Sequence, residues 1–260
     1  MKSICVTSMN ETIFQSYGKY MIESWTRYWF PNSLLIVYAE DFMLEDSKYV
    51  KYLSWNKLCE NDYKQFSLLT DYERARRFSK KGFSFLHAME NYKNQTNNLI
   101  WLDADILCKQ PIQEELVLNL LPQNKLIALF DFFYKRNPNY SEKEYLDIKN
   151  RKAMSAESGF VMLNTCHKNY DIYIKNYRSL YTQEKHPVLT NWYDGEVVLI
   201  SARNFLNDVE DLSKLRTTNK TQTPINKSFL NKYFTHQKGG VKKKLTSYDF
   251  ENITQVKNEK

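Results

Sequence analysis

Ile100-Trp101-Leu102-Asp103-Ala104-Asp105-Ile106-Leu107 sets two carboxylates inside an apolar run. An unpaired carboxylate is costly to bury, so this octet calls for a cation or strong hydrogen bonds beside it. In an extended segment residues i and i+2 point the same way, and the spacing then predicts that both side chains reach one ion. Oxygen ligands suit Mg²⁺ or Mn²⁺, ions that commonly bridge to phosphates. Two such acids can equally cap a turn where a strand meets the surface, and the octet alone leaves both readings open.

Upstream, Ser3 to Thr7 reads as a buried strand followed by the polar turn Ser8-Met9-Asn10-Glu11. Phe14 to Trp29 carries Tyr17, Tyr20, Met21, Trp25 and Tyr28 at helical spacing, Pro31-Asn32 stops it, and Leu34 to Ala39 is a second compact apolar run. Strand, helix and strand in that order begin a parallel sheet covered by helices. Tyr72 to Tyr92 reads as one long helix, basic at Arg74, Arg76, Arg77, Lys80 and Lys81, then apolar at Phe83, Phe85, Leu86 and Met89. Downstream, Leu126 to Phe130 and Gly159 to Leu163 read as strands, and Tyr170 to Tyr181 and Asp194 to Ala202 as helices. Residues 134–154 read as a polar insertion.

The 260 residues are ample for a sizeable core. No stretch approaches the ~20 apolar residues of a membrane span, and the first residues lack the pattern of a signal peptide. Cys5, Cys59, Cys108 and Cys166 are scattered with no CxxC pair, so they read as reduced thiols of a cytoplasmic protein. Residues 214–260 hold eleven Lys and Arg against three Asp and Glu, a net of +8 in a chain whose total is +7. The reading is therefore a near-neutral domain over 1–213 and a basic C-terminal segment over 214–260. Such a segment suits a polyanion, whether diphosphate, nucleic acid or an anionic membrane surface, or is simply a solvated end.

That segment contains His236-Gln237-Lys238-Gly239-Gly240-Val241-Lys242, of the form His-x-x-Gly-x-x-Lys. A neutral imidazole is a good Mn²⁺ ligand, glycines let backbone approach a bound group, and a lysine can neutralise phosphate. Other chemistries lack their signatures. The chain has no Gly-x-Ser-x-Gly, no phosphate loop and no dinucleotide fingerprint, and His87 and His186 have no Cys or acidic neighbours at metal spacing.

Asp103-Ala104-Asp105 after an apolar strand, with His236-x-x-Gly239-x-x-Lys242 near the end, resembles the GT-A fold sugar transferases of glycosyltransferase family 8. Arg74 to Lys81 is similar to the segment whose Arg and Lys contact a nucleotide sugar. Val6-Thr7-Ser8-Met9-Asn10 is similar to the first strand and turn that cradle the nucleotide. Ser158 to Asn164 and Tyr193-Asp194-Gly195-Glu196-Val197 resemble two later family motifs, the second beside the reacting sugar. The chain departs from the pattern at Glu157, where an Asn is usual, and at Lys243-Lys244, where Pro-Trp is frequent.

The resemblance implies a mixed, mainly parallel Rossmann-like sheet flanked by helices, with the basic tail closing over the donor. It implies a Mn²⁺ or Mg²⁺ ion on Asp103, Asp105 and His236. It implies donor contacts from Thr7, Ser8, Arg74, Arg77, Lys80, Lys81, Ala104, Gly239 and Lys242, with Asp194 at the reacting sugar. The activity implied is retaining transfer of a hexose from a nucleotide sugar, by family habit UDP-linked, to a glycan or lipid-linked acceptor at a membrane face. The basic tail and the Lys/Arg-rich insertion make a hydroxymethylated DNA base the rival acceptor. A metal-dependent nucleotidyltransferase is the alternative from another class. Oligomeric state is not legible in the sequence.

Overall fold

A computed structural model describes residues 3–130, 156–182, 194–215, 224–237 and 245–254. The insertion over 134–154, and Gly239 and Lys242 of the tail, lie outside the described residues. In chain order the elements are β1 (Ser3–Met9), α1 (Glu11–Ile13), a π-helical turn (Phe14–Gly18), α2 (Lys19–Tyr28), β2 (Ser33–Ala39) and β3 (Val50–Ser54). There follow α3 (Trp55–Leu58), α4 (Glu60–Leu69), α5 (Glu73–Tyr92), β4 (Asn98–Leu102), β5 (Ile106–Cys108), α6 (Glu114–Leu118) and β6 (Ile127–Phe130). The last are β7 (Glu157–Asn164), α7 (Tyr170–Thr182), α8 (Asp194–Ser201), β8 (Val209–Asp211), β9 (Phe234–His236) and α9 (Ser247–Thr254).

Local chemistry explains the boundaries. The Asn10 side chain accepts from Ile13 N and starts the first helix. Asn32, at φ 65°, makes the left-handed turn into β2 that most side chains resist. β3, α3 and α4 occupy a stretch where no element is expected from sequence. β3 is short and only half-buried, so it carries a weak period-2 signal.

The main sheet has seven strands in the order β3-β2-β1-β4-β7-β6-β8. β2–β3, β1–β2 and β1–β4 pair parallel, and β7 runs antiparallel to both β4 and β6. β8 pairs parallel with β6. The expected mixed, mainly parallel sheet is therefore what the chain forms. Alternation along each strand fills two layers. Ile4, Val6, Leu99, Trp101, Val161 and Leu163 pack under α4, α5, α7 and α8. Cys5, Leu35, Ile100, Leu102, Phe160 and Met162 pack with α2, α6, Phe234, Leu245 and Phe250. The described parts of the basic segment thus contribute to the second layer. No helix among the described residues is long and apolar enough to cross a membrane.

Candidate active site

The site lies where β4 ends. Asp103 to Asp105 is not extended, because Ile106 N donates to Asp103 O at 3.0 Å and the chain turns from β4 into β5. The expectation that two acids on an extended strand point the same way is corrected here. The turn instead gives them different surroundings, and other elements complete the cluster.

Asp103 divides its two oxygens. Oδ1 accepts from Trp101 Nε1 at 2.8 Å and from Lys81 Nζ at 2.6 Å. Oδ2 faces Gly159 on β7. Lys81 comes from α5, also donates to Ser158 O at 2.9 Å, and forms an ion pair with Asp194, the first residue of α8. Burial alone would lower the Lys81 pKa, but the carboxylates of Asp103 and Asp194 outweigh it and raise it. The lysine therefore stays an ammonium and ties β4 to α8.

His236 arrives through a separate small sheet. β9 pairs antiparallel with β5, with Ile106 opposite His236. Asn226 fixes the histidine backbone from both sides, donating to His236 O at 2.8 Å and accepting from its N at 2.7 Å. Gln237 N donates to Asp105 O at 2.9 Å. The imidazole is 2% exposed. Its Nε2 lies 3.2 Å from Asp105 Oδ1, yet neither ring nitrogen has a hydrogen bond of good geometry among the described residues. An unsatisfied buried imidazole is costly unless something else engages it.

Asp103, Glu157 and His236 each offer an atom within 4.8 Å of the others. Asp105, 5% exposed, flanks them through His236. A Cβ on Gly159 would stand 2.8 Å from His236 Cε1, 3.0 Å from Glu157 Oε1 and 3.2 Å from Asp103 Oδ2. Only a glycine leaves that space open. Carboxylates and an imidazole around such a space fit a hard or borderline divalent cation such as Mn²⁺ or Mg²⁺.

The other expected residues divide. Thr7 is fully buried in β1, with no hydrogen bond to its hydroxyl among the described residues, and Ser8 beside it is half-buried. Ala104 is buried at the turn. Arg74 and Arg77 are exposed on the first turns of α5. Arg76 anchors its own helix start, donating to Ser67 O at 3.0 Å and Thr70 O at 2.9 Å. Lys80 turns away from Lys81 and donates to Glu40 Oε2, beyond the end of β2, at 2.7 Å. Glu157 was flagged in the sequence only as a departure from a motif. Nothing in its neighbours signalled that β7 would bring it to Asp103.

A cavity of about 790 Å³ opens at the opposite end of β4, lined by Asn97, Asn98, Asn119, Gln123 and Asn164, and shares no residue with the acidic cluster.

A mixed, mainly parallel sheet with an acid-and-imidazole cluster at the C-terminal end of its central strand is a GT-A fold. Solved structures match it over most of its length. The galactosyltransferase LgtC, in complex with donor and acceptor sugar analogues, is 12% identical, with 96% of this chain and 95% of that one covered at a TM-score of 0.55. The bifunctional glycosyltransferase WbbM is 16% identical over 82% of this chain at a TM-score of 0.53, and the match spans 39% of that protein's chain. At such identities the likeness speaks for the fold. No protein-family model and no curated protein matches the chain.

Proposed function

We propose that the protein is a cation-dependent, retaining glycosyltransferase that moves a hexose from a nucleotide sugar, UDP-linked, to a glycan or lipid-linked acceptor. The observation that carries this is the convergence of Asp103, Asp105, Glu157 and His236 at the end of β4, within a fold shared with sugar transferases. LgtC with its donor and acceptor analogues supports the donor and acceptor classes.

A divalent cation held by the two Asp and His236 would supply positive charge to the departing diphosphate, an effect worth several kcal/mol. Ser8 near the end of β1, with Thr7 buried behind it, would receive the nucleotide, and Arg74, Arg77, Gly239 and Lys242 the phosphates. Lys81 pairs with both Asp103 and Asp194, which supports a place for the Asp194 carboxylate beside the sugar ring. Asp194 would orient sugar hydroxyls or stabilise positive charge at the anomeric carbon, and the leaving phosphate would accept the acceptor's proton. Of the basic segment, the stretch that carries Gly239 and Lys242 would close on the donor.

The test is incubation of the purified protein with nucleotide sugars and Mn²⁺, following donor hydrolysis and transfer. Hydrolysis of one donor, lost on chelation and restored by Mn²⁺ at least as well as by Mg²⁺, is the expected result. Full turnover after exhaustive chelation would overturn the cation dependence. Pyrophosphate release from a nucleoside triphosphate would point to nucleotidyl transfer, and transfer only to hydroxymethylated DNA would replace the glycan acceptor.

A further inference from the structure

Glu157 is the least expected member of the cluster. Its backbone opens β7, opposite Phe130, where the β6–β7 register shifts. Glu157 is 7% exposed, and its Oε1 accepts from Gly159 N at 3.1 Å. The same Oε1 is 3.0 Å from the point where a Cβ on Gly159 would stand, a point also crowded by His236 Cε1 and Asp103 Oδ2. Three potential ligands from β4, β7 and β9 thus face one gap.

The gap is also pre-set. Trp101 and Lys81 occupy Oδ1 of Asp103, which leaves Oδ2 turned toward Glu157 and His236. Asn226 fixes the backbone of His236, whose buried ring nitrogens carry no hydrogen bond among the described residues. Charge argues the same way. Among the described residues, Asp103, Asp105, Glu157 and Asp194 lie close together around the ammonium of Lys81. These carboxylates oppose a dianionic diphosphate that arrives first, whereas a divalent cation would meet ligands already in place.

Resting on the cation-site reading above, we propose that Glu157 is a ligand of this chain's cation and lets the free protein load the ion before any nucleotide sugar. Asp103, Glu157 and His236, with Asp105 alongside, then form a site whose own side chains suffice to hold the ion. The nucleotide binds to a centre whose negative charge the ion has already offset in large part.

The experiment is a titration of the full-length protein with Mn²⁺ in the absence of nucleotide, reading free Mn²⁺ by its paramagnetic resonance signal, and again with UDP. The wild-type protein is expected to bind one Mn²⁺ without UDP. Glu157→Gln, which keeps an oxygen for Gly159 N, is expected to bind it about 10–100-fold more weakly. Equal affinity in the two proteins would overturn the role of Glu157. Binding by the wild type only when UDP is present would overturn loading of the free protein while leaving the cation site standing. No binding with or without UDP would end the cation-site reading itself. If Glu157→Gln melts early, Glu157→Asp, which keeps the charge and withdraws it by one methylene, is expected to show the same weakening, and unchanged affinity there would overturn the proposal.

Discussion

The two halves of the sheet reach the site by different routes. β3, β2, β1 and β4 run parallel, with α1 and α2 between β1 and β2 and with α3 to α5 between β3 and β4. This half delivers Thr7, Ser8 and Asp103 at strand ends, as an open α/β sheet does. The other half is joined by antiparallel pairs between distant segments, Leu102 with Phe160 and Ile106 with His236, and by the register shift at Leu129/Phe130. It delivers Glu157, Asp194 and His236. The parallel half is a regular scaffold, whereas the other half is irregular because it must converge several side chains on one point. Changes at the seam should therefore cost function before stability, and changes at backbone contacts in the irregular half should cost both.

The largest effect is expected at the seam. Asp105→Ala should lower turnover by at least about 10²-fold, the scale of losing one electrostatic stabiliser of a developing charge. The fold should survive, since the change removes one acid from a crowd that includes Asp103, Glu157 and Asp194 and so eases repulsion. Donor hydrolysis and a thermal melt read the two effects separately. A near-wild-type rate would return the Asp pair to a turn cap and dissolve the seam.

The contrast in legibility follows the same line. β1, β2, β4 and α5 show in the sequence because their signals are local: short apolar runs and one long amphipathic period, which the half-buried β3 lacks. Asp103 and Lys81 could be named from motifs, but not their contact with each other, because α5 packs on a face of the sheet and nothing local sets that packing. β9 and its pairing with β5 left no trace, since three residues carry no period. Glu157 was visible only as an odd residue in a motif, because it pairs with Phe130 across a register shift that no spacing encodes.

Two glycines sharpen the comparison. A Cβ on Gly195 would drive into the carbonyl oxygen of Ala156, whose N–H in turn donates to Gly195 O at 3.2 Å. That contact is backbone on backbone, between the first turn of α8 and the residue preceding β7. Gly195→Ala should cost about 1–3 kcal/mol, as overpacking does, and should also lower activity by separating Asp194 from Glu157. A Cβ on Gly18 would press chiefly on the thioether of Met9, the flexible end of a side chain. Gly18→Ala should therefore cost less. Urea melts of both variants check the ranking, and a larger loss at Gly18 would reverse the assignment of rigidity to the two halves.

The smallest effect tests where the boundary runs on α5 itself. Lys80 and Lys81 are adjacent but serve different halves: Lys81 pairs with Asp103 and Asp194, Lys80 with Glu40 at 2.7 Å. The Lys80 pKa is lowered by partial burial but raised on balance by its hydrogen bond and charge interaction with Glu40. Its side chain is 38% exposed, so water screens the pair. Lys80→Met, which also removes the ammonium from over the rings of Trp55 and Tyr63, should cost only about 0.5–1 kcal/mol. If the Glu40 pair is its whole role, the donor KM should stay where it was while the melting temperature falls slightly. A raised donor KM with an unchanged melt would instead place Lys80 at the donor, as the resemblance to sugar transferases implies. The boundary between scaffold and site would then fall before Lys80, and the parallel half would hold part of the donor through α5 as well as through the end of β1.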